Sequence, residues 1–508
     1  MNTFNPDRYN EKTVAVNGKS IKYRAYENIV YCDNPIPAAM LEQPPIFDPK
    51  TASEPMPLPS FDPIPGTSTL DYQSLNIYIP ETVLSTKTAP ILLRTYVGYY
   101  MPALPGKIDK EVWATYRLFG EDSPGRDFTG RALAEGMVVV SAGSRGSLSV
   151  AADNYDRYIG KAPALAVDLK AAIRWLRKNA SLLPADTEKI ITDGWSSGGA
   201  VSVLLAVTGN DPAYEPYLRE IGAADERDDI FAAFSFCPII DLENADSAYE
   251  WMYGGIDATP GTMLAPAIPW PDFSSAERAF SDELRDIYPQ YLNSLGLKHP
   301  ETKKSIDTET IKEWICELLM RSAQRAADKG DIIPPETGIC IKDGKIIGID
   351  FEQYLSFTGR WAPIKNPPSF DRLGLPGALP DGTFENLLYG NDHRRTNWFT
   401  EFTKRKATGI SDADVDEDVI VTRDLMNPMR RLEKSLEPEQ LRAKHIFLRH
   451  GAFDRDTSFT IPVSLYAKLV EAGISVDFDF GWGVSHAGDY HQDEAFDWLR
   501  NILYMDPV

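Results

Sequence analysis

The chain has 508 residues, 43% hydrophobic and 25% charged, a composition that reads as soluble and globular, with room for one large domain or about two to four ordinary ones. Its formal net charge of −22 disfavours nucleic acid and anionic membrane surfaces as partners, because both would repel it. No apolar run reaches the roughly 18 residues of a transmembrane helix, so no membrane span is expected.

Residues Met1 to Asp7 lack a basic stretch followed by an apolar core, so no secretory signal is visible and a cytoplasmic location is expected. Short β-like runs follow at Lys22–Tyr26 and Leu75–Ile79. Between them, residues 35–65 hold ten prolines, which remove backbone donors and exclude regular helix or central strand. From about residue 90 the pattern becomes strand–helix–strand. Ile91–Val97 reads as a buried strand ending at Gly98, Ala132–Gly136 closes a helix, and Met137–Val140 is a fully apolar strand. Such continuous apolar runs predict a parallel sheet covered on both faces. Leu165, Val167, Leu169, Ile173 and Leu176 recur at near-helical spacing and predict a helix over 164–178. Strands are predicted at 189–193 and 231–236. From 240 to about 440 the texture is polar, helical or irregular, with one clear helix around Ile311–Leu319 and a proline-broken loop at 362–368. The alternation resumes with a strand at 444–449, a helix near 458–472, a strand at 474–480 and a last helix near 490–503. A parallel sheet interrupted for ~200 residues implies an inserted domain. The expected organisation is a core of residues 1–239 and 440–508, with an insertion of 240–439 over the C-terminal edge of the sheet, where open α/β folds bind ligands.

The chemistry begins at Gly194-Trp195-Ser196-Ser197-Gly198-Gly199, a G-x-S-x-G pattern with a strand before it and an apolar helix after it. That context predicts a sharp turn exposing the Ser196 hydroxyl, the nucleophile elbow of the α/β-hydrolases, with small neighbours to avoid collision. A serine hydroxyl needs a base, and the base an orienting acid, in the order Ser, Asp/Glu, His in this fold class. His486 lies in the glycine-rich loop after the last predicted strand and is the expected base, with His491 as the alternative; His450 ends a strand and can serve its loop. Asp454 and Asp456 both lie in the loop after strand 444–449. Asp456 is nearer the start of the next helix and suits a capping role, which favours Asp454 as the acid. The backbone N–H groups of Ser197 and Gly98 are the candidate oxyanion donors. The four cysteines are far apart and suggest neither a disulfide framework nor a zinc site. No metal and no organic cofactor is called for.

The chain resembles the bacterial tannases, tannin acylhydrolases of the lactobacillus type. The resemblance runs through Ala162-Pro163-Ala164, Val167 to Arg174, Cys237-Pro238-Ile239, Ala248-Tyr249-Glu250-Trp251, Arg449-His450-Gly451-Ala452, Asp454 to Phe459 and His486 to Tyr490. It implies an α/β-hydrolase core with a large lid between elbow and acid, and a triad of Ser196, Asp454 and His486. It also implies that Lys365, Glu385 and Asp456 read a gallate ring, so that the expected partner is a small phenolic ester. Three features depart from the family pattern: the proline-rich insertion at 35–65, tyrosine after Gly98, and a long stretch between Asp371 and Glu385. Other readings are a feruloyl or hydroxycinnamoyl esterase of the same fold and a prolyl-oligopeptidase-like peptidase. The long separation of Ser196 from Asp454 argues against the second. The oligomeric state is not legible.

Overall fold

The computed structural model describes residues 3–40, 71–108, 128–256, 273–360, 365–373 and 383–505. The strands among them are β1 (Asn10–Val16), β2 (Lys19–Val30), β3 (Ala38–Met40), β4 (Ser74–Pro80), β5 (Ile91–Thr95), β6 (Val138–Ala142), β7 (Ser149–Ala151), β8 (Asn154–Tyr158), β9 (Ile190–Trp195), β10 (Ala232–Phe236), β11 (Ile339–Lys342), β12 (Lys345–Ile349), β13 (His445–Gly451) and β14 (Ser475–Gly481). The helices are α1 (Phe128–Ala134), α2 (Ala164–Lys178), α3 (Ser197–Val207), α4 (Glu215–Glu220), α5 (Leu242–Tyr253), α6 (Ser275–Ser294), α7 (Thr310–Asp328), α8 (Phe351–Thr358), α9 (Phe384–Leu388), α10 (Glu401–Thr408), α11 (Glu417–Met426), α12 (Pro428–Glu433), α13 (Thr460–Glu471) and α14 (Gln492–Met505).

Nine strands form one sheet in the order β1-β2-β4-β6-β5-β9-β10-β13-β14. Every neighbouring pair from β6 to β14 is parallel, while β1, β2 and β4 add an antiparallel edge. The apolar runs explain this. Strands β5, β6 and β10 are buried at every position, as a parallel sheet covered on both faces requires. Strand alternation sends Ile91, Leu93, Val138, Val140 and Ile190 to one face, where they pack with Leu165, Leu169 and Ile173 of α2 and Leu204 of α3. It sends Leu92, Val139, Ile191, Phe234 and Phe447 to the other, against Phe128 of α1 and Phe496 and Leu499 of α14. Each fully buried Leu or Ile contributes about 1.5–3 kcal/mol, so this double core fixes the strand ends that carry the site. Helices on both faces and the β9–α3 elbow make this an α/β-hydrolase core.

Between β10 and β13 the described chain adds no strand to this sheet; it supplies α5 to α12 and the β11–β12 hairpin. The sheet closes across the excursion by parallel pairing from Ala232↔His445 to Phe236↔Arg449. Two small sheets were not foreseen, β11–β12 and the order β3-β7-β8. Strand β3 lies within the proline-rich 35–65 stretch as a proline-free triplet that pairs with β7 at the edge of its sheet. Residues 41–65 of that stretch, 362–364 of the proline-broken loop and 374–382 between Asp371 and Glu385 lie outside the described residues. Among the described residues no helix is long and apolar enough to cross a membrane.

Candidate active site

Ser196 stands between β9 and α3 with φ 58° and ψ −128°, a backbone state that costs a non-glycine residue about 1–3 kcal/mol and is kept only where surroundings enforce it. The surroundings are visible. A Cβ on Gly194 would lie 2.5 Å from the Gly198 carbonyl oxygen, and one on Gly199 would lie 2.4 Å from the Phe236 carbonyl oxygen. The Ser196 N–H donates to that same Phe236 oxygen at 3.0 Å. Glycines thus let β9, α3 and β10 close around the turn, and the turn pushes the hydroxyl out.

The Ser196 Oγ lies 2.9 Å from Nε2 of His486, and His486 Nδ1 lies 2.8 Å from Oδ2 of Asp454. His486 comes from the loop after β14, Asp454 from the loop after β13 and Ser196 from the end of β9, so the three groups come from ends of strands in one parallel sheet, with β10 between β9 and β13. The second Asp454 oxygen accepts the Asp456 N–H at 2.8 Å. Burial alone would raise the Asp454 pKa, but His486 and His450 hold it below its ordinary value. Burial would lower the His486 pKa; Asp454, Cys237 and Asp456 instead hold it well above the usual histidine range. The arrangement can take a proton from a hydroxyl and hold it. His491, the alternative base, precedes α14 and pairs with Glu494 at 3.3 Å, away from Ser196.

The oxyanion candidates flank the elbow. Ser197 is the first residue of α3, so its N–H has no preceding helical turn to donate to. Gly98 follows β5, and its loop leans on the elbow: the Tyr100 N–H donates to Ser197 Oγ at 3.1 Å.

Asp456 does not cap a helix. Helix α13 starts at Thr460 behind Phe459 with no side-chain cap, and the Asp456 carboxylate turns to the site instead. It lies 3.4 Å from Lys365 Nζ and 3.3 Å from His486 Nε2. Lys365 and Glu385 are both buried, not solvated. Lys365 Nζ sits 3.5 Å from the centre of the Phe370 ring, and the Lys365 carbonyl accepts from Arg360, itself paired with Glu250 in the interior. Burial raises the Glu385 pKa against the opposing pull of Lys365. Asp246 secures the adjoining loop by accepting the backbone N–H groups of Phe370 and Asp371 at 2.7 and 3.0 Å.

Several groups at the site escaped sequence reasoning. The Cys237 thiol donates to the Ala487 carbonyl at 3.3 Å, and its Sγ lies with a ligand atom each of Asp454 and His486 inside a 4.8 Å cluster. His450 is not a loop-satisfying residue but is fully buried in β13, 3.6 Å from Asp454, and burial pushes its pKa down to about 4. Arg94 of β5 makes a bidentate pair with Asp489, at 2.7 and 2.6 Å, and also pairs with Asp193, pinning the loop that carries His486. These partners lie far apart in the chain, and pairing of that kind leaves no local pattern.

The BD-FAE family model matches residues 139–264. Carboxylesterase NlhH of Mycobacterium tuberculosis is 30% identical over 151 residues, which are 27% of this chain and 47% of that protein. The match thus spans about half the length of that relative. A tannin acyl hydrolase from Lactobacillus plantarum superposes with a TM-score of 0.81 at 31% identity over 98% of both chains. A Fusobacterium nucleatum tannase does so with a TM-score of 0.79 at 34% identity over 99% of both. A tannin acyl hydrolase in complex with ethyl gallate matches at 31% identity over 98% of both chains, with a TM-score of 0.80.

Proposed function

Because the chain belongs to the bacterial tannase family and is a carboxylic ester hydrolase, we propose that it hydrolyses galloyl esters to gallic acid and an alcohol through a Ser-His-Asp acyl-enzyme mechanism. In this reading His486 takes the proton of Ser196 as its Oγ attacks the ester carbonyl, and Asp454 orients and stabilises the imidazolium. The oxyanion rests on the N–H groups of Ser197 and Gly98. His486 then gives its proton to the departing alcohol. A water deprotonated by the same imidazole attacks the acyl-enzyme and releases gallate.

The observation that carries the acyl preference is the position of Asp456, within 3.4 Å of Lys365 and 3.3 Å of His486. It joins the group that would read the ring to the group that would cleave the bond, so a short benzoyl ester spans both. A trihydroxyphenyl ring offers three donors; Glu385 and Asp456 are acceptors, and Lys365 donates to a ring oxygen. The ethyl gallate bound by a relative supports the same substrate class. Residues 240–439 act as an inserted lid domain that carries Lys365 and Glu385 to the core.

Purified protein assayed side by side on methyl gallate and methyl ferulate tests this reading. Gallate release is expected, with little ferulate, and Ser196→Ala is expected to lose at least a thousandfold in kcat. Ferulate release without gallate would keep the triad and overturn the roles of Lys365, Glu385 and Asp456.

A further inference from the structure

Lys161, in the loop between β8 and α2, is buried, and its Nζ donates to three backbone carbonyls, Ser147 at 2.7 Å, Leu387 at 2.8 Å and Arg395 at 2.8 Å. Burying a cation is costly unless its donors are met. Burial, and then the charge of Arg395, push the Lys161 pKa well below the usual lysine range. Against that, three carbonyls each ask for an N–H, and only the charged ammonium supplies three. The carbonyls come from two parts of the chain. Ser147 belongs to the core, between β6 and β7. Leu387 and Arg395 belong to the segment between β10 and β13, which folds back between them as Asn391 and Arg394 exchange backbone hydrogen bonds at 2.9 and 3.1 Å. The core partner leads to the elbow: the Ser147 N–H donates to the Tyr100 carbonyl at 2.8 Å, and the Tyr100 N–H to Ser197 Oγ at 3.1 Å. The inserted partner leads to the acyl ring, because Leu387 stands two residues after Glu385 in α9. One ammonium thus joins the oxyanion loop to the helix that carries Glu385.

We propose that Lys161 is a positioning residue, which clamps both ends of the 387–395 turn to the core and so sets the distance between the hydrolytic centre and Glu385. The proposal rests on the galloyl-ester reading, in which Glu385 meets a ring hydroxyl. Helix α9 has only five residues, too few to hold a place by its own hydrogen bonds, so its anchors place Glu385. Within the insertion the anchor is Asn386, whose Nδ2 donates to Asp371 Oδ1 at 2.6 Å. Against the core the anchors are Lys161 and, beside it, the Ala162 N–H, which donates to the Leu388 carbonyl at 3.0 Å. The oxyanion loop has a further hold of its own, since the Tyr100 hydroxyl donates to the Ile239 carbonyl. Loss of the ammonium therefore frees the end that reads the ring and leaves the end that cleaves the ester in place. Displacement of a binding group by about 1 Å is enough to weaken a reaction by one or two orders of magnitude.

The test compares wild type with Lys161→Met, which keeps a long side chain and loses the donors, on methyl gallate and on 4-nitrophenyl acetate, whose acyl part carries no ring. Lys161→Met is expected to raise KM for methyl gallate about tenfold and to leave kcat/KM for the acetate within about twofold. Amide hydrogen exchange should quicken across residues 384–397 and stay unchanged in β9 and β10. In a Glu385→Gln background the same substitution should cost methyl gallate less than about twofold, because the carboxylate it positions is already gone. An equal loss on both esters, unchanged exchange at 384–397, or a tenfold loss that persists beside Glu385→Gln overturns the role of Lys161. If Lys161→Met does not fold, Lys161→Arg, which keeps the charge but spreads its donors in a planar fork, is held to the same three results. Wild-type enzyme that cleaves the acetate through Ser196 but no methyl gallate overturns the galloyl reading and with it the part of Lys161 in substrate binding; hydrogen exchange then decides the clamp by itself.

Discussion

At the scale of single residues, the charge balance around His486 sets a measurable pH dependence. A general base must be neutral to act, so kcat/KM rises as pH climbs through the histidine pKa. Burial would lower that pKa, yet Asp454, the leading contributor, and Asp456 hold it well above the ordinary value. The acid limb is therefore expected above the usual histidine midpoint of about 6.5. Asp454→Asn removes the strongest raising influence and leaves burial, so the limb should move to lower pH. The same change would fall on kcat by roughly three to four orders of magnitude, through loss of imidazole orientation. A kcat/KM profile recorded from pH 4 to 9 on both proteins checks this. A limb that stays in place would assign it to another group, such as the buried Glu385 carboxyl, whose pKa is also raised.

At the scale of elements, the elbow depends on three backbones meeting where side chains cannot fit. Gly199→Ala would set a Cβ 2.4 Å from the Phe236 carbonyl oxygen, and the obstacle is strand backbone that cannot rotate aside. It is expected to destabilise the fold by about 1–3 kcal/mol and to push α3 away from β10. Thermal unfolding with Ser196-dependent activity would register both, and an unchanged Tm would show that the turn can relax. The elements that sequence reading recovered best share one property, a local pattern strong enough to decide. The apolar spacing of 164–178 anticipates α2, and the apolar runs anticipate β5, β6 and β10. Local pattern failed where tertiary context decided. Thr460 rather than Ser458 opens α13, so the capping role assigned to Asp456 had no helix end to serve. Strand β3, three proline-free residues inside a proline-rich stretch, forms by pairing with β7. Cys237 and Arg94 have no signature of their own, because each matters through a partner far along the chain. Lys365 and Glu385 could be named only by family resemblance; nothing in their neighbours announces burial.

At the scale of the molecule, a formal charge of −22 repels itself. Raising NaCl from 10 to 150 mM shortens the screening length from about 30 to about 8 Å, which should relieve that repulsion. Buried pairs such as Lys170–Asp228 and Arg94–Asp489 are screened little. The Tm is therefore expected to rise with salt, and a fall would show that surface ion pairs outweigh net repulsion. The closure of the sheet across the β10–β13 junction has a further consequence, in time rather than space. Ser196 and His486 are 290 positions apart, yet share one hydrogen bond. At ribosomal speeds of about 5–20 residues per second, roughly 15–60 s pass between synthesis of the one and of the other. During that interval β10 presents an open edge to the cell, a place for a chaperone or for a wrong neighbour, and the nascent chain carries a serine with no imidazole to wake it.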